Sequence, residues 1–153
     1  MKIADLMTPH PVTCSPGTNL AEAAELMLRA DCGILPIELD GKLQGVVTDR
    51  DLFIALGTRD LRPSAMSVAD VVRGPVYSCG PEDDVAAVLD IMRRHAVRRV
   101  PVEGFGGRVI GIVSINDIVL AMGAKKAARG AEVMETLQTI CAHHHPEPHI
   151  DAA

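Results

Sequence analysis

Two short stretches of the sequence place a hydroxyl side chain three residues before an aspartate. Thr48 and Asp51 lie in "GVVTDRD", and Ser114 and Asp117 lie in "GIVSIND". This is the spacing of a capping box, although aspartate has a shorter reach than the glutamate or glutamine usual at its third position. A helix that starts here also offers unpaired amides and a positive dipole end, which suit a phosphate group. The stretches therefore predict either capped helix starts alone or the polar side of a ligand site.

A run of arginines supplies a second candidate for anion binding. Arg93 and Arg94 fall in the last turn of a predicted helix, where basic side chains complement the helix dipole and remain in water. Arg98 and Arg99 open the strand that follows, and successive strand residues point to opposite faces. At most one of these two arginines therefore points into a given cleft, where its guanidinium would match a phosphate.

Three other patterns are weaker indications of chemistry. The segment from His143 to His149, "HHHPEPH", has metal-binding side chains, but its prolines and terminal position predict a disordered tail without a metal site. The four cysteines form no CxxC pair and are expected to be buried free thiols: Cys14, Cys32, Cys79 and Cys141. No GxSxG, P-loop or HExxH spacing occurs, so we expect a binding protein rather than an enzyme.

Composition limits the classes of partner. The 153 residues carry a formal net charge of −5, and only 2% of them are aromatic. Nucleic acid is not an expected partner, because binding it needs a basic surface and rings that stack on bases. No apolar run approaches the ~18 residues of a membrane helix, and the first residues do not form a signal peptide. We therefore expect a cytoplasmic protein without a membrane partner.

The sequence repeats itself. Residues 3–5 recur at 68–70 and residues 35–38 recur at 100–103, both at an offset of 65 residues. After one inserted residue, 45–48 recur at 111–114, so the hydroxyl and aspartate pairs occupy the same place in two units. Such self-similarity predicts two copies of one structural unit.

Each unit has the same order of local signals. A short β-prone segment (12–14 or 76–79) precedes an amphipathic helix, then two apolar strands (34–39 and 43–48, or 99–103 and 109–114), then a short helix. The predicted fold class is α/β (α+β), with two β-α-β-β-α repeats whose sheets pack against each other. The predicted boundaries are residues 1–57 and 67–122 for the repeats, 58–66 for an exposed linker, 123–142 for a C-terminal helix and 143–153 for the tail. The apolar stripe of that helix should bury on its own module or on a second chain.

Four motifs carry a resemblance to a known family. The stretches "DLMTPHPVTCSP", "VRRVPV", "GVVTDRD" and "GIVSIND" resemble tandem cystathionine-β-synthase (CBS) domains, the Bateman module, over about residues 1–122. The resemblance implies two pseudo-symmetric clefts that take adenosyl compounds such as AMP, ATP or S-adenosylmethionine. It also implies that two modules pair into a homodimer.

The resemblance also assigns roles to individual residues. It implies that Asp51 and Asp117 bind ribose, and that Thr48 and Ser114 lie on the ribose or phosphate side. It places Arg98 or Arg99 near phosphate. The candidate adenine walls, for most of which core packing is the alternative, are Val12, Thr13, Ile34, Leu35, Tyr77 and Ser78. The first repeat has Gly33 and Ile34 where the second has the arginines, so the two clefts should differ.

Two functions follow as hypotheses. The first is a regulatory module that requires no cofactor, senses an adenine nucleotide or other adenosyl compound (AMP, ADP, ATP, NAD or S-adenosylmethionine) and signals to an unknown effector protein. The second is a ligand-free interaction module that acts through its dimer surface or its C-terminal helix.

Overall fold

The computed structural model of the chain describes residues 1–72, 74–124 and 130–142. The predicted histidine-rich tail, and the prediction that it holds no metal, lie outside these residues. Within them, helices and strands follow one another in two similar series.

The first series contains a hairpin flanked by two helices. Its elements are β1 (Thr8–Pro9), α1 (Leu20–Ala30), β2 (Ile34–Leu39), β3 (Lys42–Thr48) and α2 (Asp49–Thr58). The side chain of Asn19 caps α1 by accepting a hydrogen bond from the amide of Glu22. Asp40 and Gly41 both have positive φ, as a tight hairpin turn between β2 and β3 requires.

The second series has the same hairpin flanked by two helices, with a short helix before them and a further helix after them. Its elements are α3 (Val68–Val71), α4 (Val85–His95), β4 (Arg99–Glu103), β5 (Val109–Ser114), α5 (Ile115–Ala124) and α6 (Gly130–Cys141). The predicted short strands at 12–14 and 76–79 are reduced to single parallel bridges, Cys14 to Ile37 and Cys79 to Val102. Prolines lie close to both ends of each segment and cannot donate to a longer ladder.

Two apolar clusters form the core. The first core lies between the β2–β3 hairpin and its helices and contains Cys14, Leu20, Ala23, Met27, Leu35, Ile37, Val47, Leu52, Ala55, Met66 and Val68. The second core lies among β4, β5, α4, α5 and α6 and contains Ile3, Cys79, Val85, Val88, Leu89, Met92, Val100, Val102, Val113, Ile115, Ile118, Val133 and Ile140. Each sheet therefore buries an apolar face against its own helices. A hydrogen bond of 2.9 Å from the Val109 amide to Glu38 Oε1 also links the two sheets.

The two repeats exchange their leading segments. Ile3 is fully buried in the second core, and its amide donates to the Asp83 carbonyl at 3.0 Å. Val68 is fully buried in the first core, and its amide donates to the Thr18 carbonyl at 2.8 Å. The prediction of an exposed linker is wrong at its last residue, because Met66 is only 1% exposed and belongs to the first core.

The exchanged N-terminal segment also explains a glycine. β1 pairs antiparallel with β5, so that Thr8 lies opposite Ile112 and Pro9 lies opposite Gly111. A Cβ at Gly111 would lie 2.9 Å from Met7 Cγ, which is closer than packed carbon atoms approach. Gly111 therefore allows the N-terminal segment of the same chain, with Met7, to pack closely against β5.

Helix α6 packs on its own module. Val133 and Ile140 are buried in the second core, and Arg93 on α4 forms an ion pair of 3.0 Å with Glu135. The apolar stripe of α6 is thus used within the chain, which resolves the alternative left open above. Arg93 also pairs with Asp90 and is only partly exposed, so the predicted solvated helix end holds less well for Arg93 than for Arg94.

The cysteines differ in accessibility. Cys14 and Cys79 are buried in the two cores, whereas Cys32 is partly exposed and Cys141 is exposed, so the prediction of four buried thiols is wrong for the last two. Burial raises the pKa of the Cys14 thiol to about 11, with a smaller effect from Glu22. Burial likewise raises the pKa of Cys79 to about 12, with smaller effects from Asp83 and Glu103.

These differences predict the order of thiol alkylation. Because the thiolate is the reactive form, Cys141 should react with iodoacetamide at pH 8 while Cys14 and Cys79 remain unmodified in the folded protein. All four thiols should react in denaturant. Peptide mass spectrometry after timed quenching measures both states, and modification of Cys79 in the folded protein as fast as of Cys141 would contradict the burial described here.

Candidate functional site

Asp51 and Asp117 each complete a capping box at the start of a helix. Oδ2 of Asp117 accepts hydrogen bonds from the Ser114 amide at 2.8 Å and the Ser114 hydroxyl at 2.7 Å. Oδ2 of Asp51 accepts the equivalent bonds from Thr48 at 2.8 and 2.7 Å. In both boxes the aspartate amide donates back to the hydroxyl at 3.2 Å. Aspartate therefore completes both boxes despite its shorter reach.

Ser67 and Asp70 form a third capping box, at the start of α3, which does not line the cleft that Asp117 faces. Oδ2 of Asp70 accepts from the Ser67 hydroxyl at 2.7 Å and the Ser67 amide at 2.9 Å, in a pair that sequence analysis did not select. The hydrogen bond from the Ser67 side chain is the main cause of a lowered Asp70 pKa, followed by that from its backbone. The box by itself therefore does not mark a ligand site.

The two selected boxes leave one carboxylate oxygen available. All four of their hydrogen bonds to carboxylate fall on Oδ2. No side chain or amide in the described parts of the chain donates to Oδ1 of Asp51 or Asp117. Each aspartate can thus hold its helix start with one oxygen and accept hydrogen bonds from a ligand with the other.

Asp117 faces a cleft of about 360 Å³ formed by residues of both repeats. This volume lies within the range of about 300–1,000 Å³ that is usual for small-molecule sites. The cleft is lined by Thr8, His10, Pro11, Val12, Ala30, Asp31, Cys32, Ile34, Arg99, Ile112, Ser114 and Asp117. We refer to these residues as the first cleft.

Three element ends bring the polar groups of the first cleft together. Arg99 opens β4 and lies directly opposite Ser114, the last residue of β5, in the antiparallel register. Helix α5 starts at the next residue, with the Ile115 amide donating to the Arg98 carbonyl at 3.0 Å. Asp117 therefore lies in the first turn of α5, beside the positive end of the helix dipole.

Apolar side chains form the other part of the first cleft. Val12 is 39% exposed, and Ile34 is largely buried at the start of β2. Ile112 lies two residues before Ser114 on β5, so the two side chains point to the same face of the strand. The first cleft therefore has apolar side chains beside its polar groups.

The structure brings together five of the residues selected from sequence: Val12, Ile34, Arg99, Ser114 and Asp117. Arg98 is exposed and does not line this cleft, in agreement with the alternation of side chains along the strand. Leu35 is fully buried in the first core, so its side chain provides no cleft surface. The remaining residues selected from sequence lie outside the first cleft. Thr13 and Ser78 are partly buried beside the two single bridges. Thr48 and Asp51 form the capping box of α2, and Tyr77 stacks on His95.

Sequence reasoning missed several lining residues, among them His10, Asp31 and Cys32. His10 and Asp31 have φ values of 52° and 48°, in the left-handed region that residues other than glycine seldom adopt. Asp31 follows the last residue of α1, a position where a left-handed residue is common and aspartate is tolerated. The sequence therefore contained an indication for Asp31, an aspartate directly after the end of a predicted helix. It contains no comparably strong indication for His10.

The described residues form neither a metal site nor a membrane-spanning helix. Over residues 1–72, 74–124 and 130–142, no three or more histidine, cysteine, aspartate or glutamate side chains converge in a way that would hold a metal ion. No helix in the same ranges has both the length and the apolar character needed to cross a membrane.

Comparison with known proteins matches both repeats. The family model described as CBS domain covers residues 3–58 and again residues 68–124. The CBS domain-containing protein YhcV of Bacillus subtilis is 29% identical over 129 residues, or 84% of this chain and 91% of YhcV. Hypoxic response protein 1 of Mycobacterium tuberculosis is 36% identical over 115 residues, or 74% of this chain and 80% of that protein.

A solved structure extends the match to the fold. The CBS domain pair of protein MJ0100, in complex with 5′-methylthioadenosine and S-adenosyl-L-methionine, has a TM-score of 0.73 at 26% identity. The match covers 82% of this chain and 98% of that one. The duplicated sequence, the two packed repeats and these matches agree: this chain is a tandem pair of CBS domains and belongs to the CBS domain family.

Proposed function

We propose that the chain is a regulatory module that binds an adenosyl compound in the first cleft and signals its presence to a partner protein. One observation carries the proposal: the open oxygen of Asp117, the start of α5 and Arg99 share a cleft with the apolar side chains of Val12 and Ile34. The MJ0100 domain pair, whose structure contains two adenosyl compounds, supports this class of ligand. We propose binding without turnover and without a required cofactor.

Each group of the first cleft has a separate part in the proposal. The adenine ring lies against Val12 and Ile34, because burial of a flat apolar ring favours such a wall. The ribose hydroxyls donate to Asp117 Oδ1, and a carboxylate acceptor makes these hydrogen bonds stronger than neutral ones. Arg99 pairs with a phosphate when the ligand carries one.

The proposed signal follows from where the cleft lies. Its lining comes from both repeats, so a bound ligand contacts both of them at once. A ligand that binds one arrangement of the repeats more tightly than another shifts the population toward the first. A partner protein that contacts both repeats would bind the two arrangements with different affinity and so respond to the change in their populations.

A thermal-shift panel tests the proposal. AMP, ADP, ATP, NAD, S-adenosylmethionine and 5′-methylthioadenosine are each added at 1 mM, with 2′-deoxy-AMP as the control for the ribose contact. At a concentration of 100 times its Kd, a ligand should raise Tm by about 5–10 °C. The deoxy compound should give a smaller shift than AMP. The absence of a shift with all six ribose compounds would contradict the proposed function.

Arg99 and Arg98 form a matched pair for testing phosphate binding. We expect Arg99→Ala to weaken AMP binding by about tenfold or more, since hydrogen bonds to charged groups contribute about 1.5–3 kcal/mol. Binding of 5′-methylthioadenosine, which has no phosphate, should change little. Arg98→Ala, which removes the exposed neighbour, should bind AMP like the parent. Equal losses of AMP affinity in the two variants, measured by calorimetry, would show that Arg99 has no specific role.

We also propose that two chains pair through helices α1 and α2. These helices form an apolar groove lined by Leu20, Ala21, Ala24, Met27, Asp49, Leu52, Phe53, Leu56 and Pro63. Phe53 is 77% exposed and Leu28 is 81% exposed, an unusual amount of apolar surface for neighbouring helices. In the second repeat α6 packs on α4, the counterpart of α1, whereas in the described part of the first repeat only the short turn Pro63–Ala65 packs on α1 besides its own hairpin and α2, and Leu28 stays exposed. We propose that the apolar groove of α1 and α2 is covered by the same groove of a second copy of the chain.

Light scattering after size exclusion tests this pairing. The parent should elute with the mass of two chains, and Phe53→Glu should elute as a single chain because it places a charge in the contact. Phe105→Glu is the matched control, since Phe105 is fully exposed on the loop between β4 and β5. A dimer that persists in the Phe53 variant would place the interface elsewhere.

A further inference from the structure

The residues that line the first cleft have counterparts in the second repeat. The offset of 65 residues places Tyr77 at the position of Val12 and His95 at the position of Ala30. Val12 and Ala30 both line the first cleft, one from the segment before Cys14 and one from the last turn of α1. The counterpart of Asp117 is Asp51. The same construction therefore predicts a second cleft bounded by Tyr77, His95 and Asp51.

The two aromatic side chains at this second position touch each other. The rings of Tyr77 and His95 stack with centroids 3.6 Å apart and an angle of 12° between their planes. Carbon atoms in contact lie about 3.5–4.0 Å apart, so no space is left between the rings. A base inserted there would need about twice this separation. In the first cleft the smaller side chains of Val12 and Ala30 leave the corresponding space open.

The polar side of the second cleft is intact. The box of Thr48 and Asp51 has the same distances as that of Ser114 and Asp117, and Oδ1 of Asp51 accepts no hydrogen bond from the described residues. The helix that follows, α2, presents its N-terminus as α5 does. The two clefts therefore share their ribose side and differ on the side that receives the base.

We propose that the Tyr77–His95 stack occupies the place of the base in the second cleft, so that one chain binds one adenosyl ligand. This inference rests on the proposed function of the first cleft and adds a stoichiometry and a residue pair that sets it. The two rings fill the space that a base would need. Replacing them by valine and alanine, the corresponding residues of the first cleft, would create a second site.

Calorimetric titration with AMP tests the inference. The parent should bind one AMP per chain, and the double variant Tyr77→Val with His95→Ala should bind two. Adding Asp51→Ala to the double variant should return the number to one and leave the affinity of the remaining site unchanged. Far-ultraviolet circular dichroism of each variant confirms that the comparison is between folded proteins.

The possible stoichiometries separate this inference from the proposed function. Two ligands on the parent, or one on both parent and double variant, would overturn the role of the pair and leave the proposed function in place. A ligand bound by the double variant alone would support the role of the pair and contradict binding in the first cleft. Failure of both proteins to bind AMP, together with the absence of a shift with every compound of the thermal-shift panel, would overturn both proposals.

Tyrosine fluorescence gives a second readout on the unmodified protein. Tyr77 is the single tyrosine, and the chain has no tryptophan, so emission reports on this stack alone. During a titration that calorimetry shows to saturate, the emission should stay constant after correction for adenine absorption. A change in emission that follows saturation would mean that the ligand opens the pair, and it would overturn the inference.

Discussion

Replacing Asp117 by alanine should weaken the binding of AMP about 100-fold. The variant loses a carboxylate that would accept hydrogen bonds from ribose, and each hydrogen bond to a charged group contributes about 1.5–3 kcal/mol. It also loses the cap of α5, because Asp117 Oδ2 accepts from both the amide and the hydroxyl of Ser114. Calorimetry measures the affinity, and urea unfolding measures the stability separately.

The other two boxes provide matched controls for this variant. Asp70→Ala removes the same box geometry from a helix that does not line the first cleft, so it should bind AMP like the parent. Asp51→Ala should also retain binding, because Tyr77 and His95 occupy the base side of its cleft. If Asp70→Ala loses as much affinity as Asp117→Ala, the effect comes from general destabilisation, and the proposed ribose contact is wrong.

Ile3→Ala should lower the free energy of unfolding by about 2–5 kcal/mol, as is usual when a buried isoleucine is truncated. Ile3 is fully buried in the second core although it is only the third residue of the sequence. A loss of this size is a large fraction of the stability of a single domain.

Met1→Ala is the control for the N-terminal segment. Met1 is 46% exposed, so its truncation should change stability by less than about 0.5 kcal/mol. Urea denaturation of the two variants gives the comparison. A cost of less than 1 kcal/mol for Ile3→Ala, on the order of a surface substitution, would contradict the exchange of leading segments between the repeats.

The strands and the box residues were predictable because their signals are local. The ranges of β4 and β5 coincide with the predicted 99–103 and 109–114, since apolar runs bounded by turn residues leave few alternatives. The alternation of side chains along β4 correctly limited the cleft to one arginine, and the structure selects Arg99. Leu35 was misassigned because its neighbour Ile34 lines the cleft, and both side chains are equally apolar.

The exchange of leading segments was not predictable from local pattern. Residues 3–5 and 68–70 are nearly the same short motif, so neither contains information about which repeat receives it. The choice depends on long-range packing of Ile3 and Val68 and on backbone hydrogen bonds to Asp83 and Thr18. The Tyr77–His95 stack was missed for a related reason, because Tyr77 lies before α4 in the sequence and His95 is the last residue of α4, so no local pattern brings them together.

A crystal structure of the parent protein with AMP would show directly whether the first cleft binds the ligand. We expect adenosine density in this cleft, with the base against Val12 and Ile34 and a ribose hydroxyl about 2.5–3.0 Å from Asp117 Oδ1. The phosphate should lie beside Arg99, and the Tyr77–His95 stack should remain closed. AMP bound outside this cleft, or bound within it with its ribose away from Asp117, would show that the proposed site and the ribose contact are wrong.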